Sequence, residues 1–143
     1  MVQGRSDVDL SRSFPAPREC LWTFWTEPQE LGRWWWPARF RTTYTVDLRE
    51  DGEYCFQTEP VPDLGVLCLS GVYLEVAPPE RLRYTWQWAG ETAGTVVCVG
   101  FDGGAASTGV RVQHSGFASE GERDNHIIGW TDCLNRLEAL LAG

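Results

Sequence analysis

Arg81-Leu82-Arg83-Tyr84-Thr85-Trp86-Gln87-Trp88 alternates strictly between polar and apolar residues. In a β-strand, this alternation places Tyr84, Trp86 and Trp88 on one face of a sheet and the polar residues on the other. Buried Tyr and Trp side chains each carry a polar atom that needs a partner. The stretch therefore predicts a curved sheet whose apolar face lines a pocket for an apolar or aromatic small molecule.

The same period of two recurs on both sides of this stretch. Alternation predicts further strands at residues 8–14, 43–49, 54–58, 67–76, 95–101 and 109–115. Turn residues separate them, as in Glu50-Asp51-Gly52, and Gly71 indicates a bend or bulge within one strand. Strands in hairpin succession form an antiparallel sheet.

Helical spacing appears in three places. One helix is predicted over residues 18–26, and a second from Pro28 to about Trp34, with Thr26 as its N-cap. The third follows the capping-box pattern of Ser119 and Glu122 and ends before Gly143. Its apolar stripe must be buried, and the sheet has one apolar face. The fold class is therefore predicted as α+β, with a curved antiparallel sheet of about seven strands gripping a long C-terminal helix.

Composition excludes several classes of function. A chain of 143 residues with 43% hydrophobic content predicts a single domain over residues 1–143. The net charge of −8 and the absence of lysine argue against nucleic-acid binding, Schiff-base chemistry and a P-loop. No apolar run is long enough for a membrane span, and residues 1–7 show no signal core. We therefore expect a cytoplasmic protein.

The five cysteines are scattered and show no zinc-binding spacing. Free thiols in a reducing compartment are the simplest interpretation. Two histidines and dispersed thiols do not make a zinc site, and we expect neither a metal nor a cofactor.

Six segments carry a family resemblance, in the same order over nearly the whole chain. They are Phe14-Pro15-Ala16-Pro17-Arg18-Glu19 with Leu21-Trp22; Thr26-Glu27-Pro28 with Leu31 and Arg33-Trp34-Trp35; Asp51-Gly52 with Tyr54; Gly71-Val72-Tyr73-Leu74-Glu75-Val76 with Pro78-Pro79-Glu80-Arg81-Leu82 and Thr85-Trp86; Val112-Gln113-His114-Ser115-Gly116-Phe117; and His126 with Gly129-Trp130, Leu134 and Leu137. Together they resemble the START-like, or SRPBCC, superfamily and, more narrowly, the homologues of the activator of the heat-shock protein 90 ATPase. The resemblance implies a helix-grip fold with a hydrophobic cavity between the long helix and the sheet.

The candidate site residues are those whose side chains should face the cavity between the sheet and the long helix. The predicted ligand-binding set is Tyr44, Phe56, Tyr84, Trp86, Trp88, His114, His126 and Trp130. His114 is also the candidate catalytic residue, because a cyclase-type reaction needs only one acid or base in a shaped cavity. The alternative is that the aromatic residues fill the core and that His114 is a hydrogen-bonded core histidine.

Two further features need a structural reason. Trp34, Trp35 and Trp36 do not all fit on one buried helix face, so one or two should anchor the short helices and the remaining one should be exposed. Gly129 lies inside a helix, where glycine costs about 1 kcal/mol relative to alanine. A close approach to a strand, or room above the pocket, would explain it.

Three functions remain open from the sequence. The first is a binding protein for a lipid-, polyketide- or flavonoid-like molecule. The second is a cyclase, dehydratase or hydrolase that uses the same cavity. The third, implied by the resemblance, is a co-chaperone-like partner of a heat-shock protein 90 homologue. An exposed tryptophan would also support a homodimer.

Overall fold

The computed structural model describes residues 7–91 and 94–142, so the predictions for residues 1–6, for part of the loop at residues 89–94 and for Gly143 lie outside the described residues. The elements follow one another as β1 (Val8–Phe14), α1 (Arg18–Thr26), α2 (Pro28–Leu31), a 3₁₀ turn (Ala38–Phe40), β2 (Thr43–Val46), β3 (Glu53–Gln57), β4 (Cys68–Ala77), β5 (Arg81–Trp88), β6 (Thr95–Gly103), β7 (Thr108–Ser115) and α3 (Glu120–Ala142). This order confirms the predicted α+β succession.

Within the described chain, the strands form one antiparallel sheet in the order β1-β7-β6-β5-β4-β3-β2. Every pair except β1–β7 joins strands that are consecutive in sequence. The first strand crosses to β7, where Val8 pairs with His114 and Phe14 pairs with Thr108. The alternation read from the sequence holds along β7, in which Val110, Val112 and His114 are buried.

Helix α3 packs against the inner face of this sheet. Trp130, Leu134 and Leu137 are buried along one side of the helix, while Ile127 and Leu141 are partly buried. The backbone N–H of Glu122 donates to Ser119 Oγ across 3.2 Å, which confirms the predicted cap. None of the helices in the described ranges has the length and apolar character of a membrane span.

The second short helix differs from its prediction. Helix α2 ends at Leu31 instead of continuing to Trp34, and Thr26 does not cap it. Thr26 is the buried last residue of α1, and its hydroxyl donates to the carbonyl of Trp22. The tryptophan run therefore lies in irregular backbone, where its side chains point in different directions.

Gly71 lies where β4 closely approaches β5. A Cβ at this position would lie 2.1 Å from the carbonyl oxygen of Thr85, so a side chain has no room. The ladder irregularity itself lies further along, between Tyr73 and Glu75. The strand therefore contains the predicted bulge, but Gly71 does not form it. Gly71 instead allows β4 to lie close to the backbone of β5.

The packing reason expected for Gly129 is wrong. This residue is exposed, and no atom lies within 4 Å of the place where its Cβ would be. Gly129 therefore neither brings the helix close to a strand nor opens space above a pocket.

Candidate functional site

Aromatic side chains fill the space between α3 and the sheet. A small interior cavity of about 10 Å³ lies between the short helices and the sheet, bordered by Trp25, Trp35, Tyr54 and Tyr84, among others. A space of this size holds about one water molecule. Between α3 and the sheet, the rings of Trp35, Trp86 and Trp130 pack on one another, so side chains of the described residues occupy the place where the hydrophobic cavity was expected.

Trp35 is the centre of this aromatic packing. Its ring centroid lies 5.5 Å from that of Phe56, 5.9 Å from that of Trp86 and 5.2 Å from that of Trp130. It thereby connects two groups of the predicted site residues. The first group contains Trp86, Trp88, His114, His126 and Trp130, and the second contains Tyr44, Phe56 and Tyr84.

His114 bridges α3 and the sheet in the first group. Its side chain is fully buried, and its Nδ1 lies 3.1 Å from the indole nitrogen of Trp130. Because an indole N–H only donates, Nδ1 must be the acceptor. The proton of neutral His114 therefore sits on Nε2, 2.6 Å from the hydroxyl of Thr95. That hydroxyl can in turn donate to the carbonyl of Trp86, 3.3 Å away.

Burial lowers the pKa of His114 from 6.5 to about 3, with a smaller contribution from His126. The ring is therefore neutral at physiological pH. Both ring nitrogens have protein partners, so a proton transfer at His114 would first require Trp130 or Thr95 to move. The catalytic role of His114 stays a prediction, and the described contacts are those of a hydrogen-bonded core histidine.

His126 joins the helix to β5. Its Nε2 accepts from the indole N–H of Trp88 across 3.1 Å, and its Nδ1 lies 2.7 Å from the carbonyl of Glu122 one turn earlier. One face of the Trp88 ring stacks on Trp36, with ring centroids 6.0 Å apart and an angle of 17°. The partly exposed Trp88 is thus held at its N–H edge and on one ring face at the surface end of the cluster.

An open groove begins at this end. It has a volume of about 330 Å³, within the usual range for small-molecule sites. Its lining comes from the end of β5 and the loop after it, the start of β6, the segment after β7 and the first turns of α3: Trp86, Trp88, Gly90, Glu91, Gly94, Thr95, Gly116, Phe117, Ala118, Glu122 and His126. We call it the tryptophan groove. Three of the predicted ligand-binding residues lie in it, namely Trp86, Trp88 and His126.

The second group lies deeper and toward β2. Phe56 and Tyr84 are buried, whereas Tyr44 is partly exposed and packs edge-on against Phe56 at 5.0 Å. Burial raises the pKa of Tyr84 well above its ordinary value, so its phenol remains protonated. These residues do not line the tryptophan groove, and the structure does not bring them together with His126.

The predicted site residues did not include Trp35, Phe117 or Thr95. The ring of Phe117 lies 4.5 Å from that of His114 and 4.7 Å from that of His126. Phe117 lies after the end of β7, so the alternation along the strand did not predict which way its side chain points. Only Trp35 carried a signal, as the middle residue of the tryptophan run, and nothing local showed which of the three would be central.

Helix α3 holds the tryptophan run in place. Arg136 donates from Nε to the carbonyl of Trp34 at 3.0 Å and from a terminal nitrogen to that of Trp35 at 2.6 Å. The thiol of Cys133 also donates to the carbonyl of Trp35. Trp34 and Trp35 are buried, so two of the three indoles anchor the segment as expected. The third, Trp36, is partly buried instead of exposed, because it packs against the core and stacks on Trp88.

Some polar atoms in the cluster lack partners. The indole nitrogens of Trp35 and Trp86 are buried and have no hydrogen-bond acceptor among the described residues. A buried donor without an acceptor costs about 1–3 kcal/mol. The described part of the chain contains no group of three or more His, Cys, Asp and Glu side chains arranged to hold a metal ion.

Comparison with known families decides the identity of this fold. The family model described as activator of Hsp90 ATPase homolog 1-like protein matches residues 15–142. The chain belongs to this family. No match was found among curated proteins.

Solved structures show the same activator-family fold at low identity. Protein CV1439 from Chromobacterium violaceum is 23% identical, with a TM-score of 0.82 over 96% of this chain and 98% of its own. An HSP90 activator from Plasmodium falciparum, PFC0360w, is 19% identical, with a TM-score of 0.76 over 97% of both chains. DynU16, a protein of the dynemicin biosynthetic locus, is 21% identical, with a TM-score of 0.78 over 97% of this chain and 48% of its own. These likenesses show the helix-grip fold.

Proposed function

We propose that this member of the activator family binds a neutral, flat aromatic molecule in the tryptophan groove. The observation that carries the proposal is the groove itself, in which Trp88 and Phe117 provide aromatic surface beside the buried Trp86. The interior space of about 10 Å³ is far too small for such a ligand, so the groove is the better candidate. A polyketide- or flavonoid-like molecule has the required shape.

The charges around the groove favour a neutral ligand over an anionic one. Glu91 and Glu122 line it, and no arginine is present among its described lining residues. A carboxylate ligand would meet like charges at close range, which costs free energy. Fatty acids should therefore bind less well than neutral aromatic compounds.

Trp86 gives the ligand a second point of recognition. Its buried indole N–H has no acceptor among the described residues, and a small rotation of the ring would let a ligand carbonyl or hydroxyl oxygen accept from it. A flat molecule with a polar edge would then stack on Trp88 and satisfy Trp86 at the same time. We place this binding in the cytoplasm, because the cysteines of the described structure are unpaired.

Isothermal titration calorimetry tests the proposal without relying on tryptophan emission. The titrants are a panel of neutral flavonoids and polyketide aromatics, with fatty acids and steroids for comparison. The key variant is Trp88→Ala, and the control is Trp22→Phe, which alters an indole that packs on Phe101 outside the groove. We expect saturable binding of a neutral aromatic compound that Trp88→Ala weakens at least tenfold and Trp22→Phe leaves unchanged. Binding that both variants retain, or no binding across the panel, would overturn the proposal.

A second candidate is co-chaperone activity, and the family match is the observation that favours it. The test is the ATPase rate of a purified heat-shock protein 90 homologue with and without this chain. Stimulation that rises with concentration and saturates supports this candidate. An unchanged rate, together with no co-sedimentation of the two proteins, rejects it for that homologue. The same sedimentation experiment on the chain alone tests whether it forms a homodimer.

A further inference from the structure

Two cysteines face each other on the outer surface of the β3–β4 hairpin. Cys55 alternates with the buried Tyr54 and Phe56, so its side chain points away from the core. Across the ladder, Cys55 pairs with Ser70 and Cys68 pairs with Gln57, which makes the two cysteines diagonal neighbours. Their sulfur atoms are 3.9 Å apart, and both residues are partly exposed.

We propose that Cys55 and Cys68 are a modification site, at which a reversible disulfide staples β3 to β4. The sulfur atoms must approach by about 1.9 Å, since a disulfide bond measures about 2.05 Å. Diagonal positions place the Cβ atoms further apart than a relaxed disulfide prefers. The bond is therefore strained and readily reduced, as regulatory disulfides are.

The position of the pair in the sheet makes this movement feasible. Gln57 and Cys68 form the last pair of the β3–β4 ladder, at the mouth of the loop that connects the strands. Among the described strands, the four-residue β2 alone lies beyond β3 at that end of the sheet. Strand ends with few neighbours open at low free-energy cost, so the two backbones can close without disturbing the core.

Access and selectivity also favour this pair. Cys55 borders an open surface groove of about 370 Å³, which also contains Thr45, Gln57 and Glu59, so a small oxidant reaches it. Cys133 is buried and donates to the carbonyl of Trp35, and burial raises the pKa of its thiol to about 12. Cys55 and Cys68 are therefore close to each other and more accessible to an oxidant than Cys133 is.

The oxidant that would form this disulfide is a peroxide. The thiolate of one cysteine attacks a peroxide oxygen, which breaks the O–O bond, releases hydroxide and leaves a sulfenic acid. The thiolate of the second cysteine then attacks that sulfur, forms the S–S bond and releases the oxygen as water. Overall, two thiols and one hydrogen peroxide give one disulfide and two waters. Burial and the neighbouring Cys68 raise the pKa of the Cys55 thiol, so the reaction should accelerate as the pH rises.

The test is peptide mapping after treatment of the folded protein with hydrogen peroxide and alkylation of the remaining thiols. Because arginines are the only basic cleavage sites, trypsin leaves both cysteines in the peptide of residues 50–81. The oxidised peptide should lack two hydrogens and take no alkyl group. Cleavage on the N-terminal side of Asp63, which lies between the two cysteines, should yield fragments that remain joined until dithiothreitol is added.

Single-cysteine variants distinguish disulfide formation between Cys55 and Cys68 from general oxidation of the cysteines. Cys55→Ser and Cys68→Ser should each abolish the joined fragments, whereas Cys98→Ser, on the same outer surface of the sheet, should leave them unchanged. Two alkyl groups on the peptide after peroxide treatment would overturn the proposal. Oxidation of each sulfur to a sulfinic acid without a crosslink, or a disulfide that joins two molecules, would overturn it as well.

Discussion

The indole N–H of Trp130 donates to Nδ1 of His114 across 3.1 Å, and both residues are buried. This bond links the middle of α3 to β7, and it exists only while the imidazole is neutral. Protonation at Nδ1 would place two donors against each other in the core.

Stability should therefore fall in acid because of His114. Its pKa is about 3 in the folded protein and near 6.5 when unfolded, so between these values the unfolded chain binds more protons. The contribution of His114 is fully present above about pH 6.5 and decreases as the pH falls toward 3, by roughly 1.4 kcal/mol per pH unit. Urea unfolding of the wild type and His114→Gln across this range measures the difference. Parallel curves would contradict the prediction, because the carboxylates are the same in both proteins.

Removing the His114 side chain should destabilise the fold strongly. His114→Ala leaves the N–H of Trp130 without an acceptor and opens a cavity, which together cost about 3–5 kcal/mol. His126→Ala is the comparison, since this residue is only partly buried and its loss should cost less. Chemical denaturation at pH 7.5 measures both. Equal losses would show that burial of the His114 bridge contributes little.

Replacing Arg136 by Met should cost about 1–3 kcal/mol, because the carbonyls of Trp34 and Trp35 lose a charged donor. Met preserves most of the aliphatic stem, so the loss reports the hydrogen bonds. Arg49→Met is the control, since Arg49 forms an exposed ion pair with Asp47 and should change stability by less than about 1 kcal/mol. Thermal unfolding measures both variants. A melting temperature for Arg136→Met equal to that of the control would refute the role of this residue.

Gly129→Ala should stabilise the protein by about 1 kcal/mol, because the position is helical and open to solvent. The expected rise in melting temperature is about 2–4 °C. Calorimetry decides the sign. A decrease would mean that Gly129 has a structural role that the surrounding space does not show.

Gly71→Ala should act in the opposite direction. The new Cβ would lie 2.1 Å from the carbonyl oxygen of Thr85, so β4 and β5 must separate. Gly100→Ala is the matched control, since that strand glycine has no atom within 4 Å of its Cβ position. We expect a loss of about 2 kcal/mol or more for Gly71→Ala, by analogy with overpacked cores, and no loss for Gly100→Ala. Urea unfolding of the two variants measures the contrast.

The fold was predictable because its signals are local. Alternation in β5 and β7, together with the stripe on α3, identified which side chains point inward. The end of α2 was not predictable, because it depends on partners far along the chain. Trp34 donates to the carbonyl of Phe24 at 2.8 Å, and Arg136 accounts for the carbonyls that follow. These contacts stabilise an irregular segment that local propensity extends as a helix.

The site was predictable in part for the same reason. Trp86, Trp88 and His126 were chosen by their phase, and all three lie in the tryptophan groove. Whether an inward-facing ring lines a cavity or fills it depends on the total volume that enters the interior. The Trp35 ring fills much of the space that would otherwise be a cavity. It comes from an irregular segment whose path cannot be read from the pattern of apolar residues.

The contacts between indoles have an optical consequence. Successive ring contacts join Trp25, Trp34, Trp35, Trp86, Trp88 and Trp36 into one chain, with Trp130 as a branch. Excitation absorbed by one of these rings migrates to its neighbours before it is emitted. The emission therefore belongs to the chain of rings as a whole, and a ligand that reaches only Trp88 quenches light absorbed deep in the core. The same coupling should produce an exciton signal in circular dichroism that disappears when the rings separate on unfolding.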